Sequence, residues 1–527
     1  MGMLLAIGTP FIPSLTQLTP FAAEMSLIGG MLAVLLAPLF GSRSNLASGA
    51  LALCSVLTAL TLLLLSGGEP MGVHFRGMLL SDPLSLYWKV ILLVFVAGII
   101  VMWFSTTRST MHEGDGPEFF TLLLCATMGM CLMASTSNLL MLVIAVETAS
   151  LPSYVLAGFR KTRRLGAEAS LKYVLFGAAT SAIMIYGLSM LYGAYGTLQL
   201  DGASGINAQI SRDGGPAPVL ILALAGVIAG LGFKLSIVPL HFWCPDVFEG
   251  ASIEVSAFLS VASKGAALVL LTRICMMMAE SMRFLDGSIS LTSIAAIFGT
   301  LGAITATVAN TAAYSQTNLK RLLAWSSIAH AGYMVCALSL LVSHKSDIVR
   351  SDGVNLPVQA ILIYLSVYLF MNLGAFLVVG LVARETGGET LSDFTGLGRR
   401  SPILAVTMTV FLFSLIGLPP FAGFVAKLNL MWRIAENGSW WWVIVGVIAI
   451  NTIFSLYYYA RVIRAIYLEP SDKPAFSANP IGVGLSLACA LMLLLMFFGF
   501  SPLERVTGMA SHMSHLPVVP ATALLAE

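Results

Sequence analysis

Glu147, Lys234, Lys264 and Lys427 each stand inside an otherwise apolar run of this chain. An ionised side chain at the centre of a bilayer costs at least about 2.5 to 3.5 kcal/mol, so each needs a reason to be there. At a rise of 1.5 Å per residue, Lys264 lies roughly 18 Å from either end of its run, farther than a lysine stem can snorkel. Glu147, about ten residues into its run, is similarly central. Lys234 and Lys427 each sit within several residues of a predicted helix break, where loosened backbone and water can solvate a charge. A desolvated lysine can take up and release protons near neutral pH, which is what a proton relay requires. The bland alternative is a set of fixed ion pairs, for instance Glu147 with Lys234. Three deep lysines, however, have too few deep carboxylates to be neutralised that way.

Weaker candidates extend the line. His241 follows a proline break and could shuttle protons between Lys234 and Lys264. His330 shares a helical stripe with Ser326 and Tyr333, and a satisfied interior histidine is the favoured reading there. Ser256, Ser260, Ser263 and Lys264 recur at helical spacing on one face, although such stripes also serve to hydrogen-bond neighbouring helices. Lys172, six residues into its run, is either a relay group or an end-of-helix anchor. Lys89 and Arg273 lie nearer the ends of their runs and read as snorkelling anchors.

The elements that must position these residues are membrane spans. Hydrophobic residues make up 58% of the 527 and charged residues 10%, against about 25% charged in a soluble domain. With a mean hydropathy of +0.91, lipid must be the main solvent. Runs long enough to cross about 30 Å of hydrocarbon fall near residues 24–40, 46–66, 82–104, 119–135, 137–158, 166–193 and 218–243. Seven more fall near 252–278, 287–311, 319–342, 357–382, 402–433, 440–468 and 482–500. The first 22 residues lack Lys and Arg and are broken by Pro10, Pro13 and Pro20, unlike a secretory signal, and read as a tail outside the membrane.

Assigning alternate loops to opposite sides places fourteen of the 27 basic residues on one side, Arg160, Lys161, Arg163, Arg164, Lys320, Arg321, Arg399 and Arg400 among them. Seven, including Arg76, Arg212 and Arg433, fall on the other. The richer side is expected to be cytoplasmic, with both termini opposite it. The seventh span breaks at Pro239 and the twelfth at Pro419-Pro420, because proline removes a backbone donor and crowds the preceding turn. Breaks five spans apart predict an all-α membrane protein of about fourteen helices holding two inverted five-helix repeats, with discontinuous helices 7 and 12. The expected units are 1–118 (tail and helices 1–3), 119–278 (helices 4–8), 287–468 (helices 9–13) and 469–527 (helix 14 and tail).

Nothing in the sequence suggests that the chain handles electrons or nucleotides. Cys54, Cys125, Cys131, Cys275, Cys336 and Cys489 are scattered through apolar runs without CxxC spacing, and no phosphate loop, dinucleotide fingerprint or pair of haem-ligating histidines is legible. No cofactor, metal or nucleic-acid partner is expected of the chain itself.

Four segments together resemble the subunit N family of proton-translocating NADH:quinone oxidoreductase, respiratory complex I. They are Glu147-Thr-Ala-Ser-Leu-Pro152-Ser-Tyr154 with Glu168-Ala-Ser-Leu-Lys172-Tyr173; Gly232-Phe-Lys234 with Pro239-Leu-His241-Phe-Trp243-Cys-Pro245-Asp246-Val-Phe-Glu249-Gly250 and Ala257-Phe-Leu-Ser-Val-Ala-Ser-Lys264; Asn318-Leu-Lys320-Arg321 through Ser326 and His330 to Tyr333; and Gly417-Leu-Pro419-Pro420-Phe-Ala-Gly423 to Lys427, with Tyr457-Tyr-Tyr-Ala-Arg461-Val-Ile-Arg464. The resemblance implies an antiporter-like membrane-arm subunit that conducts protons while NADH, flavin, iron–sulfur clusters and quinone act in partner subunits. It implies Glu147 and Lys234 as the coupled pair of a first half-channel, Lys264 as central relay and Lys427 as exit-side lysine. It also implies a bacterial cytoplasmic membrane and the sister subunit M as a neighbour; lysine rather than glutamate at 427 separates the two.

One departure is Ser252-Ile253-Glu254-Val255, where the family usually has two prolines. Glu254 reads either as a solvated charge complementing a helix N-terminus or as a proton-collecting group. A subunit of a multisubunit cation/proton antiporter and a passive assembly scaffold remain as competing readings.

Overall fold

Backbone N–H and C=O groups in hydrocarbon must bond within their own segment, and helices satisfy them there. The computed structural model describes residues 14–41, 44–66, 71–106, 112, 114–160, 163–202, 204–213, 217–282, 291–342, 353–438 and 441–512. Its helices are α1 (Ala22–Leu36), α2 (Asn45–Leu65), α3 (Pro83–Thr106), α4 (Gly116–Ser135), α5 (Leu139–Ala157) and α6 (Arg164–Tyr195). The short α7 (Ile206–Asp213) leads to α8 (Ala217–Leu235), α9 (Trp243–Gly250) and α10 (Ile253–Met277). Then come α11 (Leu291–Ala312), α12 (Leu319–Leu341), α13 (Leu356–Thr386), α14 (Pro402–Ile416), α15 (Ala422–Ala435), α16 (Trp441–Tyr467), α17 (Pro480–Phe498) and α18 (Phe500–Ser511).

Among the described residues thirteen helices are long and apolar enough to cross a membrane. The remaining expected crossing is the broken one, which α14 begins and α15 continues. Helix ends follow local chemistry: Asn138, Asn318, Asn355 and Asn479 each cap a helix by accepting from its first free backbone N–H groups, and Gly196 and Gly387 close α6 and α13 at positive φ. The first crossing extends back to Thr19, and helical turn begins at Leu15. The tail expected up to residue 22 is therefore shorter. Phe21 is buried and packs edge-on against His74, which draws this stretch onto the bundle. Residues 1–13 and 513–527 lie outside the described residues.

A two-stranded antiparallel hairpin, β1 (Gly72–His74) with β2 (Leu79–Ser81), lies between α2 and α3. Isolated bridges join Leu79 to Thr136 and Asn138 to Gln199, gathering three alternate connections on one face. The bridge from Asn318 to Thr390 and the bond from Arg400 Nε to the Pro474 carbonyl gather the alternating set on the opposite face. Every residue of α10 is buried, and α12 and α13 flank it as the bundle's interior. Leu32, Leu35, Leu171, Leu175, Leu487 and Leu491 stay exposed on outer helices, as lipid-facing residues should.

Both predicted breaks are present. The seventh crossing ends its first half at Leu235 and resumes at Trp243; the twelfth ends at Ile416 and resumes at Ala422. The freed backbone groups find new partners, as a break at membrane depth requires. Trp243 Nε1 donates to the Phe233 carbonyl at 2.9 Å, and the Val238 N–H donates to Thr305 Oγ1 of α11 at 3.1 Å. At the second break the Gly423 N–H donates to Ser414 Oγ at 3.1 Å.

Candidate functional site

A π-helical turn, Leu259–Ser263, interrupts α10 immediately before Lys264. Such turns displace the following side chain and recur at functional sites. Lys264 is fully buried, and its Nζ donates to Ser327 Oγ of α12 at 2.7 Å. One helical turn on, His330 lies on the same face of α12, with its Nδ1 2.7 Å from the Tyr364 hydroxyl of α13. Rings of Tyr333 and Tyr368 pack against it at 5.7 and 5.3 Å. Along α12, His330 lies between Ser327, which holds Lys264, and Tyr333, whose ring faces the Lys427 amine.

Lys427, near the start of α15, turns back across the break. Its Nζ donates to the Ile416 carbonyl at 2.8 Å and lies 5.0 Å from the centre of the Tyr333 ring. A cation there meets the negative end of the α14 dipole. Gly417 at φ +90 makes the turn possible, because a residue with a Cβ is strained in that backbone conformation.

On the other flank, Lys234 is the last charged residue before the first break. It is buried, with Nζ 5.3 Å from the Tyr154 ring and 5.8 Å from the Tyr173 ring. Glu147 is partly buried and accepts from Ser181 Oγ at 2.7 Å. The charge of Glu147 reaches Lys234, but no ion pair closer than 4 Å joins them among the described residues. The fixed Glu147–Lys234 strut is therefore not what the fold builds. Glu147 lies nine residues beyond the cap Asn138, and Ser327 nine beyond the cap Asn318, so the serine that holds Lys264 occupies in α12 the register of Glu147 in α5.

His241 lies within the first break, buried, its Nδ1 unpartnered among the described residues and its ring 5.6 Å from that of Trp325. The Lys264 charge reaches it as well. The serines of α10 behave as helix packing groups: Ser256 donates to the Phe248 and Ser252 carbonyls, and Ser260 to that of Ala257.

Lys172 is not in this buried line. It is partly exposed and bridges Glu168 at 2.8 Å and Asp246 at 2.6 Å. Arg321 of α12 bonds both Asp246 and Glu249 at 2.7 Å, and these groups surround a cavity of about 90 Å³. Lys89 and Arg273 are not snorkelling anchors either. Lys89 is buried against Glu24 at 2.7 Å, and Arg273 against Asp82 at 2.8 Å and the Ala134 carbonyl at 2.7 Å; neighbouring helices and the hairpin cover both. Glu254 is not solvated: it is 1% exposed and accepts from Thr106 Oγ1 at 2.6 Å, while keeping its place in a first helical turn. Lys320, counted among loop charges, is buried and held by Glu389 at 3.0 Å and the Ala251 carbonyl at 2.8 Å.

Reasoning from sequence named Ser326 and Tyr333 but missed the neutral groups that connect to them, Asn310, Asn451, Tyr458 and Tyr459. Asn310 Nδ2 donates to the Tyr333 hydroxyl and to Asn451 Oδ1, each at 3.0 Å, and Tyr458 donates to Asn310 Oδ1 at 3.0 Å. Ser326 and Tyr459 bond each other across α12 and α16. Buried asparagines in spans at 310 and 451 were the available signal, since each must find partners or carry a desolvation cost.

Among the described residues, thirteen long apolar helices and the broken crossing of α14 and α15, around buried amines, a buried histidine and a partly buried carboxylate, define an antiporter-like membrane subunit. The sequence profile of the NADH:quinone oxidoreductase/Mrp antiporter transmembrane family matches residues 136–453. NADH-quinone oxidoreductase subunit N of Anaeromyxobacter sp. (strain Fw109-5) is 40% identical over 92% of this chain and 95% of its own length. That of Sorangium cellulosum (strain So ce56), subunit N 2, is 38% identical over 93% and 96%. A chain of respiratory complex I from Thermus thermophilus superposes with a TM-score of 0.73 at 30% identity, covering 92% of this chain and 99% of that one. A chain of the Mrp complex from Dietzia sp. DQ12-45-1b gives 0.78 at 19% identity over 97% and 99%, a likeness of fold. The chain belongs to the NADH:quinone oxidoreductase/Mrp antiporter transmembrane family, in its subunit N branch.

Proposed function

We propose that this chain is the antiporter-like membrane-arm subunit of a proton-translocating NADH:quinone oxidoreductase, and that it moves protons along Glu147, Lys234, Lys264, His330 and Lys427. His241, in the first break, is the connecting group between Lys234 and Lys264. Lys172 serves in the polar cluster at the cavity mouth with Asp246 and Arg321. The observation that carries this reading is the Lys264–Ser327 bond followed one turn later by His330, which links a central lysine toward Lys427 with no neutralising carboxylate on either amine among the described residues. A lysine held by a hydroxyl can release its proton; one locked to a carboxylate cannot do so readily.

The two translocating units are residues 119–278 and 287–468, flanked by 1–118 and 469–527. NADH, flavin, iron–sulfur clusters and quinone belong to partner subunits, and subunit M is the adjoining antiporter-like chain. The setting is the bacterial inner membrane, with both termini on the non-cytoplasmic side.

Glu147→Ala or Lys234→Ala, in the assembled complex, is expected to lower quinone reductase activity and NADH-driven proton uptake together, because a stalled transfer holds back the driving reaction. Assembled complex with normal uptake in both variants would overturn the assignment.

A further inference from the structure

Glu147 and Lys234 make no direct ion pair among the described residues, so whatever couples them must lie between. Two hydroxyls occupy that position. Ser181 of α6 donates to Glu147 Oε1 at 2.7 Å, which commits its proton and leaves its lone pairs open to accept. Tyr154 of α5 is 4% exposed, and Lys234 Nζ lies 5.3 Å from the centre of its ring.

The fold fixes the Tyr154 hydroxyl against α6. A Cβ on Gly177 would strike that hydroxyl, so the helix presents bare backbone where the phenol arrives. Ser181 lies one turn beyond Gly177 on the same face, and with Ser150 of α5 it faces the phenol. Tyr173 packs edge-on against the Tyr154 ring at 4.6 Å and stacks in turn on Trp243 at 4.3 Å. Ser170 Oγ donates to the Tyr154 carbonyl at 2.8 Å and ties the backbone to α6 as well. Held this firmly, the Tyr154 hydroxyl is nevertheless buried without a hydrogen bond among the described residues. A buried hydroxyl left unbonded costs about 1–3 kcal/mol. A group kept at that cost beside an open acceptor is available to make and break one bond.

We infer that Tyr154 and Ser181 form the bridge through which Glu147 and Lys234 are coupled, an inference that rests on the relay proposed above. In the joined state the flexible lysine stem brings its amine to the Tyr154 oxygen, Tyr154 donates to Ser181, and Ser181 donates to Glu147. Every donor then points toward the carboxylate. A proton passing along this line breaks one N–H bond at Lys234 and forms one O–H bond at Glu147, while each hydroxyl gives up one proton as it gains another and ends neutral. With the Tyr154 bond unmade, amine and carboxylate are separate.

The test uses the assembled complex in sealed vesicles. Tyr154→Phe keeps the ring against Lys234 and Tyr173 and removes only the hydroxyl; it should lower NADH-driven proton uptake at least about tenfold, the scale of a lost proton-transfer group. Ser181→Ala should do the same, and Ser181→Thr, which keeps a hydroxyl, should bring uptake back to at least half of the parent's. In the infrared difference spectrum between the resting and NADH-reduced complex, the tyrosine C–O stretching band that Tyr154→Phe removes should shift in Ser181→Ala, a change that loss of packing alone would not produce. Uptake within twofold of the parent in Tyr154→Phe or Ser181→Ala, while Glu147→Ala has lost it, would overturn the bridge and leave the relay standing; normal uptake in Glu147→Ala as well would remove both. A Ser181→Thr complex no better than Ser181→Ala, or a tyrosine band that Ser181→Ala leaves unmoved, would also overturn the bridge.

Discussion

At the scale of single residues, what distinguishes the central file is the kind of partner each amine has. Lys264 is held by a hydroxyl and Lys427 by a carbonyl, whereas Lys89, Lys172 and Lys320 are all held by carboxylates. The first two therefore lack the fixed negative charge that would pin a proton in place. Lys264→Arg keeps charge and approximate length, but a guanidinium stays protonated at any working pH. Proton-transfer groups contribute on the order of a hundredfold or more where transfer limits the rate. NADH-driven proton uptake by the Lys264→Arg complex should accordingly fall by at least about tenfold, read as acidification or dye quenching in vesicles, while assembly is retained. Uptake within twofold of the parent complex would show that Lys264 carries no exchanging proton.

At the scale of elements, the two broken crossings depend on side chains that replace lost helix bonds. Thr305 of α11 accepts the Val238 N–H, so an element of the second unit repairs the break in the first. Thr305→Val keeps the shape and removes the acceptor, and leaving a buried N–H unsatisfied costs about 1–3 kcal/mol. The complex should melt at a lower temperature in detergent, with the loss traced to this subunit by limited proteolysis near residue 238; unchanged melting and cleavage would mean that the amide has another partner. The breaks themselves were legible in sequence, because prolines at 239, 419 and 420 cannot continue a regular helix and Gly417 favours ending one. The π turn before Lys264, within a wholly buried helix, was not legible, because Leu259-Ser-Val-Ala-Ser263 contains no proline or glycine to mark it.

At the scale of the whole molecule, α1–α3 are clamped to the first unit by Asp82 and Arg273, with the guanidinium also on the Ala134 carbonyl. Burial opposes ionisation of Asp82, but Arg273 and then Ser85 outweigh it and hold the carboxyl below the ordinary aspartate range. A carboxyl whose native value lies below its unfolded value of about 3.9 adds stability above that value and loses it as pH falls through the native one. Asp82→Asn strands a buried guanidinium, at about 3–5 kcal/mol. Its melting temperature should lie below the parent's by a constant margin from pH 8 to pH 5, and the two should converge only in more acidic solution. An equal margin at acidic and neutral pH would remove the ion pair from the account. Composition determined that the chain lives in lipid, and the order of apolar runs and prolines how many times it crosses and where two crossings break, because backbone in hydrocarbon must bond internally and every interruption needs new partners. Composition also marked Glu147, Lys234, Lys264 and Lys427 as misplaced charges. Which charges are paired was decided only by tertiary structure. Lys89, Arg273 and Glu254 sit near helix ends along the chain, and their burial depends on what packs over those ends, which no spacing within one helix records.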